Sequence, residues 1–291
     1  MTTENHGSDW GAVDLDTIPS VSLGVLGLGV LFHLLLSIFA VVVVFAHPPP
    51  EQPIVGDIWI ATGGIISAQL LVNLFMLVSI VGGLLWVDDH LEPGHVGLVV
   101  EAIPMGVVVT VGLWLGIQAI GIGLDVVGGG VGVSTAWTGI GAGGWITRLI
   151  PELFGSALQE EVFFRGLLLT QAYLISRRYL GGTRVPLAVA VVGTQAWFGL
   201  VHLPIGLVQG TTLPLPADLV GTALLGIIYA LVYLRTGNLF VAVGVHALAN
   251  DPAPIFVDPV TARFVLLGLT VLLLLGWPII RRGGRDGRGE V

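Results

Sequence analysis

Glu160, Glu161 and Arg165 lie in an apolar run, Leu149 to Ile175, that otherwise has the composition of a membrane span. An ionisable side chain in such a run costs at least about 2.5–3.5 kcal/mol on insertion scales, so it is read as functional and its partners are sought. Glu161 and Arg165 are four apart, share a helix face and can form an ion pair. Glu160 is rotated by about 100° from Glu161 and is not aligned with Arg165. One carboxylate is thereby neutralised and the other is free for chemistry. Three more polar side chains stand in later apolar runs: His202, four after Phe198, and the pair His246 and Asn250, one turn apart on a common face. A partly buried Glu is a general base for water. A neutral His orients that water or binds a metal. A His and an Asn one turn apart can donate to a developing oxyanion. These are the parts of a hydrolase that uses an activated water. Ser156, one turn before Glu160, lies in no G-x-S-x-G sequence, which argues against an acyl-enzyme.

The elements that must hold these groups follow from composition. Of 291 residues, 54% are hydrophobic and 10% charged, far below the roughly 25% charge of a soluble domain. The fold class expected is all-α, a polytopic transmembrane bundle of about eight spans, because backbone polar groups in lipid must be satisfied within each segment. The chain has no cysteine, which excludes disulfides, thiolate metal sites and cysteine nucleophiles. It has no lysine either, so Schiff-base chemistry is excluded and all 11 basic residues are Arg. Residues 1–20 read as an acidic tail without the basic start of a secretory signal. Residues 21–124 hold three spans (Val21–Ala46, Ile58–Val87, Val96–Leu124), and 125–144 form a Gly-rich connector, a loop or re-entrant piece with a short interfacial helix around Trp137. The core, 145–280, holds five more: Trp145–Ser176, Val185–Leu203 stopped by Pro204, Leu219–Leu234, the short Leu239–Asn250, and Thr261–Ile280. Residues 281–291 form an Arg-rich tail. With an even span count, Arg177, Arg178, Arg184, Arg235 and the tail arginines share one side, the cytoplasm by the positive-inside rule, together with both termini. Spans alternate in direction, so Glu160, His202, His246 and Asn250 all fall in one leaflet.

Glu160-Glu161-x-x-x-Arg165, then Phe198-x-x-x-His202, then His246-x-x-x-Asn250 resembles the motif set of the CPBP intramembrane proteases, the type II CaaX prenyl protease or Abi-like family. The resemblance covers about Trp145 to Ile280 and implies an eight-span glutamic endopeptidase. By that resemblance Glu160 is the water-activating base, His202 helps hold the water, and His246 and Asn250 form the oxyanion site. Glu161, Arg165 and Phe198 shape the site. A metal-free mechanism is favoured, with no cofactor. The alternative is zinc held by Glu160, His202 and His246 with an open fourth position, although there is no H-E-x-x-H sequence.

Each piece also has a plainer reading. Glu161–Arg165 alone suits a structural pair, and His246 and Asn250 alone suit interhelical hydrogen bonding. His33, in the first span, reads as a polar contact, and Trp59, Trp86 and Trp145 as interfacial belt residues. The whole chain could be a non-catalytic scaffold or immunity protein, or a proton-coupled transporter, although it lacks the paired broken helices of transporters. The expected partners are a membrane-anchored protein or peptide substrate and the bilayer, in the plasma membrane of a prokaryote, with no nucleic acid. The substrate is not written in the motifs. The shared leaflet lies opposite the Arg-rich loops, so the substrate is not a CaaX protein, or a deep cavity reaches the site, or the orientation is inverted.

Overall fold

Long apolar runs punctuated by Ser, Gly and Pro become helices with defined ends. The computed structural model describes residues 13–52, 54–88, 90–209 and 214–286, and among them every regular element is helical. Six helices are long and apolar enough to cross a membrane: α1 (Leu23–Val44), α2 (Ala68–Val87), α3 (Val100–Val127), α5 (Arg184–Val208), α6 (Leu215–Thr236) and α8 (Pro259–Ile279, helical on to Asp286). The short apolar α7 (Leu239–Asn250) is a seventh. The eighth, α4, covers 135–180 and carries four charged side chains that no lipid-facing span would tolerate, Glu152, Glu160, Glu161 and Arg165. The protein is an integral membrane helix bundle.

Serine and asparagine side chains begin several of these helices. Ser22, Ser67 and Ser134 accept from Val25, Leu70 and Trp137 backbone N–H, and Asn238 accepts from Phe240 N at 2.9 Å. Asn238 also donates to Ala102 O at 2.8 Å, which fixes the start of α7 against α3. The turn before it closes through Gly237, left-handed at φ 67°.

Several boundaries differ from the sequence expectations. The second apolar run is broken: a short helix, Gly56–Ala61, ends at Gly63 and Gly64, both at positive φ, and α2 begins only at Ala68. Pro204 does not stop α5. The helix loosens at His202, whose N–H reaches back to Gly199 O, and resumes over Leu203–Gln209 with Pro204 in its first turn, where a missing N–H leaves nothing unpaired. The Gly-rich connector is partly helical. Thr135 opens a helix around Trp137, and Gly141 (φ 72°) kinks it before the membrane portion. Trp145 is buried and stacked on Trp137 at 5.8 Å, so it is a packing residue and not a belt residue. The acidic tail is tied down where it is described. Gln171 accepts from Val21 N at 2.8 Å and donates to Pro19 O at 2.9 Å, and Arg177 pairs with Asp16. Of the Arg-rich tail, Arg288 lies outside the described residues.

α4 is not a regular α-helix. Wide π-type turns cover Glu152–Ala157 and Glu161–Leu169, separated by Leu158–Glu160. Wide turns of this kind concentrate at functional sites, and here they hold Glu152, Glu161 and Arg165, while Glu160 sits on the short α-helical link. Glycine then lets neighbours close on this helix. A Cβ at Gly166 would overlap the Val96 carbonyl. The backbone cannot yield there as a side chain could, so Gly166→Ala is expected to lower stability by about 1–3 kcal/mol. Gly193→Ala, which faces open space, should be neutral or stabilise by up to about 1 kcal/mol. Thermal unfolding of the two variants in detergent, side by side, checks the contrast.

Candidate active site

The charged face of α4 is answered by α5, α6 and α7. Glu161 and Arg165 are fully buried and paired, Nη1 to Oε1, at 2.9 Å. Arg165 Nη2 donates to Gln195 Oε1 at 2.9 Å and to the Gly226 carbonyl at 3.1 Å. Its guanidinium lies over the Phe198 ring at 4.5 Å and the Tyr229 ring at 5.2 Å. One cation therefore binds α4 to both α5 and α6. Lacking a Cβ at 226 matters here, since one would meet Gln195 Oε1, Phe198 and Arg165 within 3.2 Å.

The same Glu161 oxygen that pairs with Arg165 accepts from His246 Nδ1 at 2.7 Å. The imidazole is buried and stacked on Tyr229, centroids 4.4 Å apart and 14° from parallel. A carboxylate on Nδ1 places a proton there, so Nε2 is the ring's working nitrogen. It points to Glu160 Oε2, 3.7 Å away. His202 is fixed in the same way from the other side. Its Nδ1 donates to the Phe198 carbonyl at 2.7 Å, and its Nε2 stands 3.8 Å from Glu160 Oε2. The Phe198 ring fills the floor between them, 4.6 Å from His202 and 6.1 Å from His246.

The structure thus brings Glu160, His202 and His246 together, with Glu161, Arg165 and Phe198 beneath. Glu160 Oε2 is buried and meets no hydrogen-bond partner among the described residues. The two ring nitrogens that face it lie just beyond direct hydrogen-bond reach. Three polar atoms thus converge without bonding one another, a gathering into which a water can be admitted.

Asn250 is placed differently. It is exposed at the last position of α7, and its Nδ2 donates to Glu152 Oε1 at 2.6 Å, with no hydrogen bond to Glu160. Glu152, Gln195 and Tyr229 are absent from the sequence reading. Glu152 and Gln195 carried a signal, since each is a polar side chain inside an apolar run. Tyr229 carried none, because its role is stacking. His33 is buried and stacks flat on Phe163 at 4.1 Å, and neither of its ring nitrogens meets a hydrogen-bond partner among the described residues.

The zinc reading can be set against this geometry. Zinc–nitrogen and zinc–oxygen bonds of about 2.0–2.1 Å in a tetrahedral site hold ligand atoms about 3.3–3.4 Å apart. The two imidazole nitrogens lie at 3.7 and 3.8 Å from the Glu160 oxygen. Among the described residues no group of three His, Asp or Glu is arranged to hold a metal ion.

The ion pair at the base of the site gives a direct test. Glu161→Gln leaves the Arg165 cation buried without its counter-ion and should destabilise the protein by about 3–5 kcal/mol. Replacing both together, Glu161→Leu with Arg165→Met, should cost less than the single change. Thermal unfolding of the three proteins measures this, and a double variant worse than the single one would contradict it.

Residues 142–250, which run from just after the Gly141 kink to Asn250, match the family model described as Type II CAAX prenyl endopeptidase Rce1-like. No curated protein matches the chain, and no solved structure does. The matched segment contains the whole constellation, from α4 through α7. The match over 142–250 supports assigning this segment to the type II CAAX prenyl endopeptidase, or CPBP, protease family.

Proposed function

We propose that this protein is an intramembrane endopeptidase in which Glu160 activates a water against a peptide bond. The observation that carries the reading is the meeting of Glu160 Oε2 with two imidazole Nε2 atoms at 3.7 and 3.8 Å, each ring anchored at Nδ1 by a different acceptor. A water at that point donates one hydrogen to Glu160 and the other to His202 Nε2. As its oxygen attacks the carbonyl carbon, Glu160 takes the proton and the C=O π pair moves onto the carbonyl oxygen. The oxyanion is met by Asn250 Nδ2–H and by His246, which in its doubly protonated form donates from Nε2 while Nδ1–H stays on Glu161. The C–N bond then breaks, and the proton held by Glu160 passes to the leaving nitrogen. Proton count and electron pairs balance without a further reactant.

Burial grades across the site in the way this chemistry needs. Asn250 is exposed, Glu160 and His202 are half-buried, and His246 and Glu161 are buried. Water reaches the reacting edge, while the anchors stay dry and their hydrogen bonds strong. The substrate we assign is a membrane-anchored protein or peptide that enters from the leaflet holding the site. The membrane is the plasma membrane of a prokaryote with both termini cytoplasmic, a placement supported by the distribution of arginine.

The test is hydrolysis of a membrane-anchored peptide, prenylated and unprenylated, by purified protein with and without a strong chelator. Glu160→Gln should lower kcat by about 10²–10⁴-fold, the range of general-base catalysis, and wild-type activity should survive the chelator. Activity lost to chelator and restored by zinc would replace the metal-free mechanism. Equal cleavage by wild type and Glu160→Gln would end the proposal.

A further inference from the structure

Asn250 is the exposed member of the oxyanion pair. It ends α7, and the next residue is already extended (Asp251, φ −138°, ψ 95°). An exposed Asn at a helix end samples several rotamers and presents either its amide oxygen or its NH2, and ordering it carries an entropic cost. Only one orientation serves an oxyanion, with NH2 toward the site.

Two sets of contacts impose an orientation. Arg263, from α8, holds the last turn of α7 by donating from Nε to Ala249 O at 3.1 Å and from Nη2 to Asn250 O at 2.9 Å. Glu152 holds the side chain. Its Oε1 takes one Nδ2 hydrogen of Asn250 at 2.6 Å, so the nitrogen and not the oxygen is turned to α4. Glu152 is itself buried, 8% exposed, in a span where a carboxylate is expensive. It makes no hydrogen bond or ion pair with Glu161 or Arg165. Its second oxygen accepts from Gln69 Nε2 at 2.8 Å, and Gln69 comes from α2. Gln69 is braced in turn, donating to Ser156 Oγ at 2.8 Å and accepting at its backbone carbonyl from Asn73 Nδ2 at 2.8 Å. Gly155 allows this approach, because a Cβ there would meet Leu70 Cα and Gln69 O at 3.1–3.2 Å.

We propose that Glu152 is the positioning residue for the oxyanion amide of Asn250, and that the N-terminal helices enter the reaction through Gln69. The chain Gln69–Glu152–Asn250 commits one Nδ2 hydrogen to Glu152 and directs the other to the substrate oxygen. The inference rests on the protease reading and gives α2, which carries none of the three motifs, a place in the active site.

The experiment measures kcat and KM on the anchored peptide with the full-length protein, using Glu160→Gln as the blank and thermal unfolding as the fold check. Asn250→Ala should lower kcat by about 10²-fold, the size of one lost oxyanion donor. Glu152→Ala should lower kcat by about 10–100-fold with KM within about threefold, since the loss is of transition-state contact only. Glu152→Ala added to Asn250→Ala should change nothing further, which is the signature of two residues acting as one unit. Glu152→Gln keeps an acceptor for Asn250 and should recover most of the rate. Should Glu152→Ala fail to fold, Gln69→Ala carries the same test, with a severalfold fall in kcat that vanishes in the Asn250→Ala background. Wild-type rates in Glu152→Ala, effects that multiply with Asn250→Ala, or a Glu152→Gln as slow as Glu152→Ala would each overturn the positioning role alone. Wild-type cleavage no faster than the blank would overturn the protease reading, and the positioning role with it.

Discussion

One carboxylate oxygen, Glu161 Oε1, holds this bundle and its site together. It pairs with Arg165 and accepts from His246. Neither partner is sufficient alone. Without Arg165 the carboxylate would be an unpaired charge in lipid, and without Glu161 the imidazole would lose the acceptor that selects its proton position. Arg165 then spends its other nitrogen on α5 and α6, through Gln195 and the Gly226 carbonyl. Four helices are thus referred to one buried charge pair. A buried pair of this kind is weak evidence for stability in itself. Its value here is geometric, because it fixes the depth at which α4, α5, α6 and α7 meet.

The shape of α4 follows from that demand. An ordinary α-helix brings round to one face the residues three and four apart. The site asks more of this span. Glu161 and Arg165 must face the interior of the bundle, Glu160 the water-accessible edge, and Glu152 the end of α7. Wide turns on either side of Leu158–Glu160 re-aim these faces within one continuous helix. The cost is a wider backbone that needs room, and glycines supply it. Gly166 admits the carbonyl of Val96, and Gly155 admits α2.

The fold was legible because lipid permits few solutions. Long uncharged runs state the helices, and the even number of runs with its arginine asymmetry states the alternation. Glu160, Glu161, Arg165, His202, His246 and Asn250 stood out for the same reason, since polarity inside an apolar run is conspicuous. What stayed hidden was local. The break before Ala68 depends on two glycines taking positive φ, and the passage of α5 through Pro204 depends on a loosened turn at His202. Neither is stated by hydropathy. The partners of the conspicuous residues were also hidden. Gln69 lies on α2, far from every motif in sequence, and only packing brings it to Glu152. Tyr229 is apolar in its contact with His246 and leaves no mark in a search for charge.

The two polar clusters divide the work by solvent access. Glu161, Arg165 and His246 are closed in, and the hydrogen bonds they make are to buried groups. Asn250 is exposed, and Glu152 connects it back to the interior. A donor at the wet end of a site meets a competing partner, water, and in water its hydrogen bond to an oxyanion is worth little. Fixing the amide beforehand removes the reorganisation that water would otherwise exploit, and this preorganisation is the larger part of oxyanion stabilisation. A buried acid is an expensive anchor in a membrane span. On the proposed reading that cost is spent on holding an exposed side chain in one orientation, and through Gln69 it brings α2 into the catalytic unit.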